Sequence, residues 1–480
     1  MGAWSEYLNP DPHKELVVSE ISTKYGFDLC ECGLSRYWAL LFGYIISVTC
    51  GPVSPDHPAM RRLLVSVGVY AELCVDVVPC PAQEARIKTL AAVGRPAGYA
   101  SAFLAGCLYD AFGGRVCCVC GLLLKMGGTI LFVLGENTSW QGAFILHASG
   151  DIPFIFGMFE MVNLFPHRDG LVLVGFSLSR DSARYAANLM NFVADHTEIA
   201  PSKVMLASFV IAASWAVFMI LFLPTEKMMP VTLAQRAYDD GRPPNKNPIV
   251  DPEFLSVLRH RLYLLWTAYY ILSLSLHHLW YVCALKVPVA ATSEIVGILV
   301  TLSSSLVLAA LHDLLSVWSV PFVMAALTTT AYFLLVGQCY TAAAHVTLMT
   351  RGMAMMQAPL ILFVAYPYRL VGRLTGACIS LAGLIAVGSQ SLAQAANSPQ
   401  QILALLYGCG TASLTTLAPL IYLGVTYPMR QPRLKCPSWC GRRRPSELVD
   451  LTVNIRHHTE ASPDSSSDSS RRCGCSWTIL

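Results

Sequence analysis

The sequence predicts an all-α polytopic membrane protein of twelve transmembrane helices arranged in two six-helix bundles. Three observations predict it. Only 13% of the 480 residues are Asp, Glu, Lys or Arg, against 54% hydrophobic, where a soluble domain carries about 25% charged residues. The mean hydropathy is +0.51. Twelve apolar runs approach the roughly 20 residues that a helix needs to cross a bilayer, and a polar stretch divides them six and six, the layout of two repeated bundles. This composition excludes a disordered chain, a secreted disulfide scaffold and a conventional nucleic-acid binder, so the lipid bilayer is the expected surrounding and no nucleic acid is expected as partner.

In chain order, residues 1–36 are mixed polar and charged, with no apolar core after a basic start. They read as a cytoplasmic N-terminal segment rather than a signal peptide. The first hydrophobic run, Tyr37 to Cys50, is expected to act as an uncleaved signal anchor, and the runs 37–53, 89–109, 116–134, 141–161, 171–193 and 204–223 make up a first bundle over 37–223. Residues 224–261 hold Pro243, Pro244 and Pro248 among several charges and read as a cytoplasmic linker. The second bundle, 262–427, is predicted from the runs 262–283, 292–311, 314–336, 342–366, 374–393 and 402–427. The tail, 428–480, contains Arg442, Arg443 and Arg444 and then a Ser/Asp run over 462–470. It has too little apolar surface to fold and is expected to be a disordered cytoplasmic tail.

Orientation follows from the basic residues in the loops. With the N-terminus in the cytoplasm, 22 of the 33 Lys and Arg fall on that side and six on the other. Both termini are therefore expected in the cytoplasm. The remaining five, Arg95, Lys125, Arg180, Arg184 and Arg351, lie within predicted spans.

The 17 cysteines lie mostly in apolar runs, where they act as small core- or lipid-facing residues. Cys74 and Cys80 differ, because they sit in a polar loop and could close a short bridge. The sequence has no paired CxxC and no HExxH, so neither a metal nor a cofactor is expected. It also lacks the His-x-x-x-x-Asp or Asp-His-His-Cys sets that a membrane-embedded transferase would need, so an enzyme is not expected.

The most informative motif is Gly106-Cys-Leu-Tyr-Asp110-Ala-Phe-Gly113-Gly114-Arg115, between spans two and three. Glycine lets a short loop turn sharply, while Asp110 and Arg115 can pair with each other or with helix ends across the two bundles. The motif resembles the loop signature G-x-x-x-D-x-x-G-x-[RK] of the major facilitator superfamily, in the position where that family carries it. The resemblance implies a gating or conformational role for Gly106, Asp110, Gly113 and Arg115. The equivalent loop of the second half, His312-Asp313-Leu-Leu-Ser, is degenerate.

Cys50-Gly51-Pro52, followed by Met60-Arg-Arg-Leu-Leu and Val67-Gly-Val-Tyr-Ala-Glu-Leu-Cys74, resembles the first outside loop of the LAT-type large-neutral-amino-acid uniporters and their fungal and protozoan relatives. Asn163-Leu-Phe-Pro-His-Arg168-Asp-Gly170 resembles that group's loop four, and Leu370-Val-Gly372-Arg-Leu-Thr-Gly376 its loop ten. Arg168 is accordingly added to the gating residues. The resemblance implies a small-molecule substrate, an amino acid, carried by a monomer in the plasma membrane.

Charges inside spans are the remaining signal, since each costs a few kcal/mol at a helix centre. Arg180 and Arg184 share one helix face, and Asp181-Ser182 matches a step common in the resembled family, from which Arg184 departs. Either an arginine meets a substrate carboxylate bidentately, or Asp181 pairs with Arg180 or Arg184 to organise the bundle. Arg351 is open in the same way between substrate or gating and structural pairing. Lys125 is expected to snorkel, Glu160 to meet the interface, and His277 and His278 either to relay protons or to pack helices. No span combines several acidic residues, which points to facilitated transport. The candidate substrate residues are thus Arg351, Arg184, Asp181, Ser182 and Gly51; another small solute, or nutrient sensing, is the alternative.

Overall fold

The computed structural model describes residues 36–51, 58–75, 79–134, 139–164, 169–197, 199–222, 252–285, 294–314, 317–351, 354, 357–366, 368–395 and 398–427. Among them the regular structure is entirely helical. The first half contains α1 (Arg36–Cys50), α2 (Pro58–Val67), α3 (Pro81–Leu134), α4 (Ser139–Met158), α5 (Asp169–His196) and α6 (Pro201–Phe222). The second contains α7 (Pro252–Leu258), α8 (Arg261–Leu285), α9 (Glu294–Leu314), α10 (Ser319–Val336), α11 (Tyr340–Arg351), α12 (Gln357–Ala365), α13 (Tyr368–Ala395), α14 (Pro399–Thr415) and α15 (Leu417–Thr426). The described residues of the twelve apolar runs fall mostly on these helices. The tail and most of the linker lie outside the described residues, as does Arg168.

Six of the helices are, by length and composition alone, apolar enough to cross a membrane. One of the six, α3, holds two predicted spans in 54 residues. They part at Gly113, whose φ of 79° and ψ of 180° break the helical path. A side chain rarely adopts that φ, so the second of the paired glycines in Gly113-Gly114 is not the one that turns the chain. The outer surface agrees with immersion in lipid: Leu206, Val210, Val217, Ile220 and Leu221 are all exposed along α6, an apolar surface of a kind that soluble monomers rarely present.

Three expectations need correction. The tenth span is not one helix: α11 ends at Arg351 and α12 begins at Gln357. Gly352 and Pro359 frame that interruption in the sequence, and neither favours an uninterrupted helix. Lys125 does not snorkel. Its side chain is 3% exposed and its Nζ is paired with Asp151 of α4, because α3 and α4 pack too closely there for the lysine to leave. Glu160 likewise is buried rather than interfacial, with its Cγ against Gly114.

The core is continuous between the halves. One apolar cluster joins Tyr109, Phe154, Phe156 and Phe159 of the first half to Trp266, Tyr269, Tyr270 and Leu374 of the second. Smaller clusters cap each half, around Tyr70, Trp140 and Phe144 in one and Trp280, Tyr332 and Leu335 in the other. Cys74 and Cys80 are disulfide-bonded with their Cα atoms 5.6 Å apart, just before α3 begins.

Candidate functional site

The first arm of α3 and the helix α13 run against each other with glycines at their closest approaches. A methyl group on Gly106 would overlap the Gly372 carbonyl, and one on Gly376 would overlap the carbonyl of Ala102. One on Gly372 would lie 2.6 Å from Asp110 Oδ1. Glycine therefore fixes this approach by absence: any larger residue pushes the two halves apart.

At the end of this seam, one turn before the Gly113 break, lies Asp110. Its Oδ1 accepts the Gly372 N–H at 2.9 Å. Its Oδ2 accepts the Arg373 N–H at 2.8 Å and the Arg373 Nε–H at 3.2 Å. The two side chains are 1% and 5% exposed. A buried carboxylate is tolerable only when it is paired and hydrogen-bonded, and charge-assisted bonds of this kind are the strong ones. Of the partners the sequence allowed Asp110, the structure selects a helix across the seam; Arg115 is half-buried one turn beyond. The Arg373 guanidinium also lies 5.2 Å from the ring centre of Phe254. Phe254 belongs to α7 and packs on Phe103 of α3, with ring centres 6.3 Å apart.

Further along the seam the polar contacts repeat. The Phe103 N–H donates to Ser380 Oγ at 3.0 Å, and the Ser380 hydroxyl donates to the Tyr99 carbonyl at 2.7 Å. The Tyr99 ring sits over Gly383, and its hydroxyl is 3.0 Å from His278 Nε2. The other nitrogen of that ring lies 2.9 Å from the Leu274 carbonyl. A carbonyl can only accept, so a neutral His278 carries its hydrogen on Nδ1 and takes the Tyr99 hydroxyl at Nε2. The expected alternatives for His278 thus include a bond between the halves. Last in the row, Arg95 Nη1 donates to Gln390 Oε1 at 3.3 Å. From Arg95 to Asp110 is 15 residues, about 22 Å of helix.

The substrate residues nominated from sequence are placed as follows. Gly51 is buried at the end of α1. Asp181, Ser182 and Arg184 lie within α5, and Arg351 is the last residue of α11; the side chains of these four lie outside the described residues. Beyond the interruption, the Gln357 side chain is buried, and its Oε1 is 2.8 Å from the Tyr269 hydroxyl. Arg373, Phe254, Tyr99 and Gln390 were not nominated, although Arg373 lies inside the Leu370–Gly376 motif. Pairing across 263 residues leaves no local pattern to read.

No family model matches the chain. It is 32% identical over 178 residues to Protein FMP42 of Saccharomyces cerevisiae, a match covering 35% of this chain and 32% of that protein. The chain therefore spans about a third of the length of that relative. Among solved structures it resembles the major facilitator superfamily proton:xylose symporter XylE bound to 6-bromo-6-deoxy-D-glucose. The TM-score is 0.57 at 12% identity, over 82% of this chain and 95% of that one. It also resembles an auto-inhibited POT family peptide transporter, with a TM-score of 0.50 at 13% identity over 82% and 97%. These likenesses show the fold, which is that of an all-helical, multi-pass membrane protein.

Proposed function

We propose that this chain, whose fold is the major facilitator fold, carries amino acids across a membrane by alternating access. The observation that carries the reading is the seam between the halves, closed at one end by Asp110, Gly372 and Arg373. A carrier needs a contact that holds one side shut and can part without unfolding either half. Hydrogen bonds that one carboxylate accepts from backbone N–H groups meet that need, because water can replace them when the seam opens. The helix interruption at Arg351–Gln357 supports the same reading, since broken helices line the central sites of such folds.

The substrate class rests on the sequence motifs around Gly51, Asn163 and Gly372. A neutral or aromatic amino acid is favoured, a cationic one being the variant reading. Its carboxylate is assigned to Arg351 or Arg184, with Asp181, Ser182 and the Gly51 region completing the polar contacts. Transport is facilitative, and the carrier works as a monomer in the plasma membrane. With both termini in the cytoplasm, Gly106, Asp110, Gly113, Arg115 and Arg168 form the cytoplasmic gate.

Uptake of radiolabelled leucine, tyrosine and arginine into oocytes expressing the protein tests this. Saturable uptake above control, unchanged by a proton ionophore, is expected. Surface expression without uptake of any amino acid in a full panel would overturn the substrate assignment.

A further inference from the structure

Residues 224–261 read as a linker in the sequence, yet their described end is the helix α7, seated on the seam. Pro252 opens that helix, and the first helical position is where proline is best tolerated. Phe254 and Val257 are buried, and Leu258 packs against the same core. Leu255, Ser256 and Arg259 are exposed. The short helix therefore has one apolar face, spaced i, i+3 and i+4.

At one edge of that face, Phe254 touches both halves. Its ring centre lies 6.3 Å from that of Phe103 in the first half and 5.2 Å from the Arg373 guanidinium in the second. A guanidinium within about 6 Å of a ring is attracted by the negative face of its π-system. Arg373 thus meets a carboxylate on α3 and an aromatic ring on α7.

The two contacts of Phe254 cannot both survive an opening of the seam. The turn from α7 into α8 is closed by the His260 N–H on the Val257 carbonyl at 2.9 Å and the Leu264 N–H on the His260 carbonyl at 3.0 Å. The helix packs on α8 and α13, and the His260 ring meets those of Tyr366 and Tyr427. All of these anchors belong to the second half, as does Arg373. When Asp110 leaves with α3, Phe254 stays with Arg373 and parts from Phe103.

We propose that Phe254 is a positioning residue of the gate. It closes on Phe103 while the gate is shut, and while the gate is open it holds the Arg373 guanidinium ready for the return of Asp110. A guanidinium that has lost its carboxylate in a sheltered crevice needs another partner, and the ring supplies one that does not compete for the Asp110 oxygens. The inference rests on the alternating-access reading and deepens it: the segment that joins the halves ends in a working part of the gate.

The test follows chemical access to the seam in the full-length protein in membranes. Cys107, half-buried on α3 one turn beyond Phe103, reports opening through its rate of alkylation by N-ethylmaleimide, located by peptide mass spectrometry. That measurement needs no substrate. Phe254→Leu keeps an apolar side chain but loses the ring, and should raise the rate about threefold or more, the worth of one ring contact. Phe254→Tyr keeps the ring and should bring the rate back toward that of the wild type. Phe103→Leu should give a similar rise, and combining it with Phe254→Leu should add little, because both act through one contact. Uptake by Phe254→Leu should show a lower kcat with little change in KM. Wild-type alkylation in the leucine variants would overturn the inference, as would a rise in Phe254→Leu that also appears in Phe254→Tyr. If Phe254→Leu does not reach the membrane, the rate in Phe103→Leu decides alone. Failure of the wild type to take up any amino acid would instead overturn the proposed substrate class and leave the Cys107 result standing.

Discussion

Asp110 and Arg373, 263 residues apart in the chain, are joined by main chain and side chain alike. Of the bonds that the carboxylate receives from Gly372 and Arg373, two come from their N–H groups and one from the Arg373 Nε. An ordinary ion pair could be inverted by exchanging its partners. This one cannot, because the two N–H groups would then face a cation.

Asp110→Ala should therefore weaken the closed seam by about 3–5 kcal/mol, the range for losing one partner of a buried pair. Uptake per surface molecule should fall at least tenfold. The exchange Asp110→Arg with Arg373→Asp should not restore it, whereas it would restore an interaction made by side chains alone. Uptake normalised to surface biotinylation distinguishes the two.

Gly106→Ala places a methyl group on the Gly372 carbonyl, and overpacking of this kind costs about 1–3 kcal/mol. Gly388, on the same helix α13, has open space where a Cβ would stand. Gly388→Ala should leave uptake unchanged, and Gly106→Ala should reduce it by at least fivefold. Equal effects would show that the seam does not need its close approach.

His260, between α7 and α8, lies 3.4 Å from the Tyr366 hydroxyl and packs on the Tyr427 ring. Burial lowers its pKa from the ordinary value near 6.5. The folded state thus favours the neutral ring. Its contribution to stability is complete above pH 6.5 and is lost as pH falls through the lower folded value. In detergent, the Tm should drop between pH 7.5 and pH 5 by more in the wild type than in His260→Gln. An identical drop would place the acid sensitivity elsewhere.

The Cys74–Cys80 bridge closes a short loop, for which chain entropy predicts about 2 kcal/mol of stabilisation. Reductant should lower the Tm of the wild type by a few degrees and leave Cys74→Ser with Cys80→Ser unmoved. Uptake should change little, since the bridge lies before α3 and away from the seam. A loss of uptake on reduction would give that loop a part in the cycle.

Much of the fold is legible in the sequence because lipid imposes a one-dimensional code: a run of apolar residues is a helix wherever it lands. The turn at Gly113 was legible too, through the glycine pair and the Asp110 motif around it. What escaped was tertiary. Asp151 looks unremarkable among the apolar residues of its run until Lys125, 26 residues earlier, is seen against it. Arg373 was read as part of a loop motif, with no sign of the carboxylate it meets. The break after Arg351 was signalled by Gly352 and Pro359, but strong hydropathy on both sides concealed it. Local pattern reports what a residue is compatible with, and partners across the seam are set by packing.

The glycine seam between α3 and α13 bears on how fast such a machine can turn over. When two packed surfaces separate in water, the penalty is about 25 cal/mol for each Å² of apolar area that is wetted. Beside the apolar cluster that joins Tyr109 to Leu374, the seam parts main chain and small polar groups: the carbonyls of Ala102 and Gly106, the Ser380 hydroxyl, two N–H groups and a carboxylate. Water is a good solvent for all of them. Opening this row of contacts therefore adds little to the penalty that the apolar cluster sets, which is the balance that the proposed carrier requires.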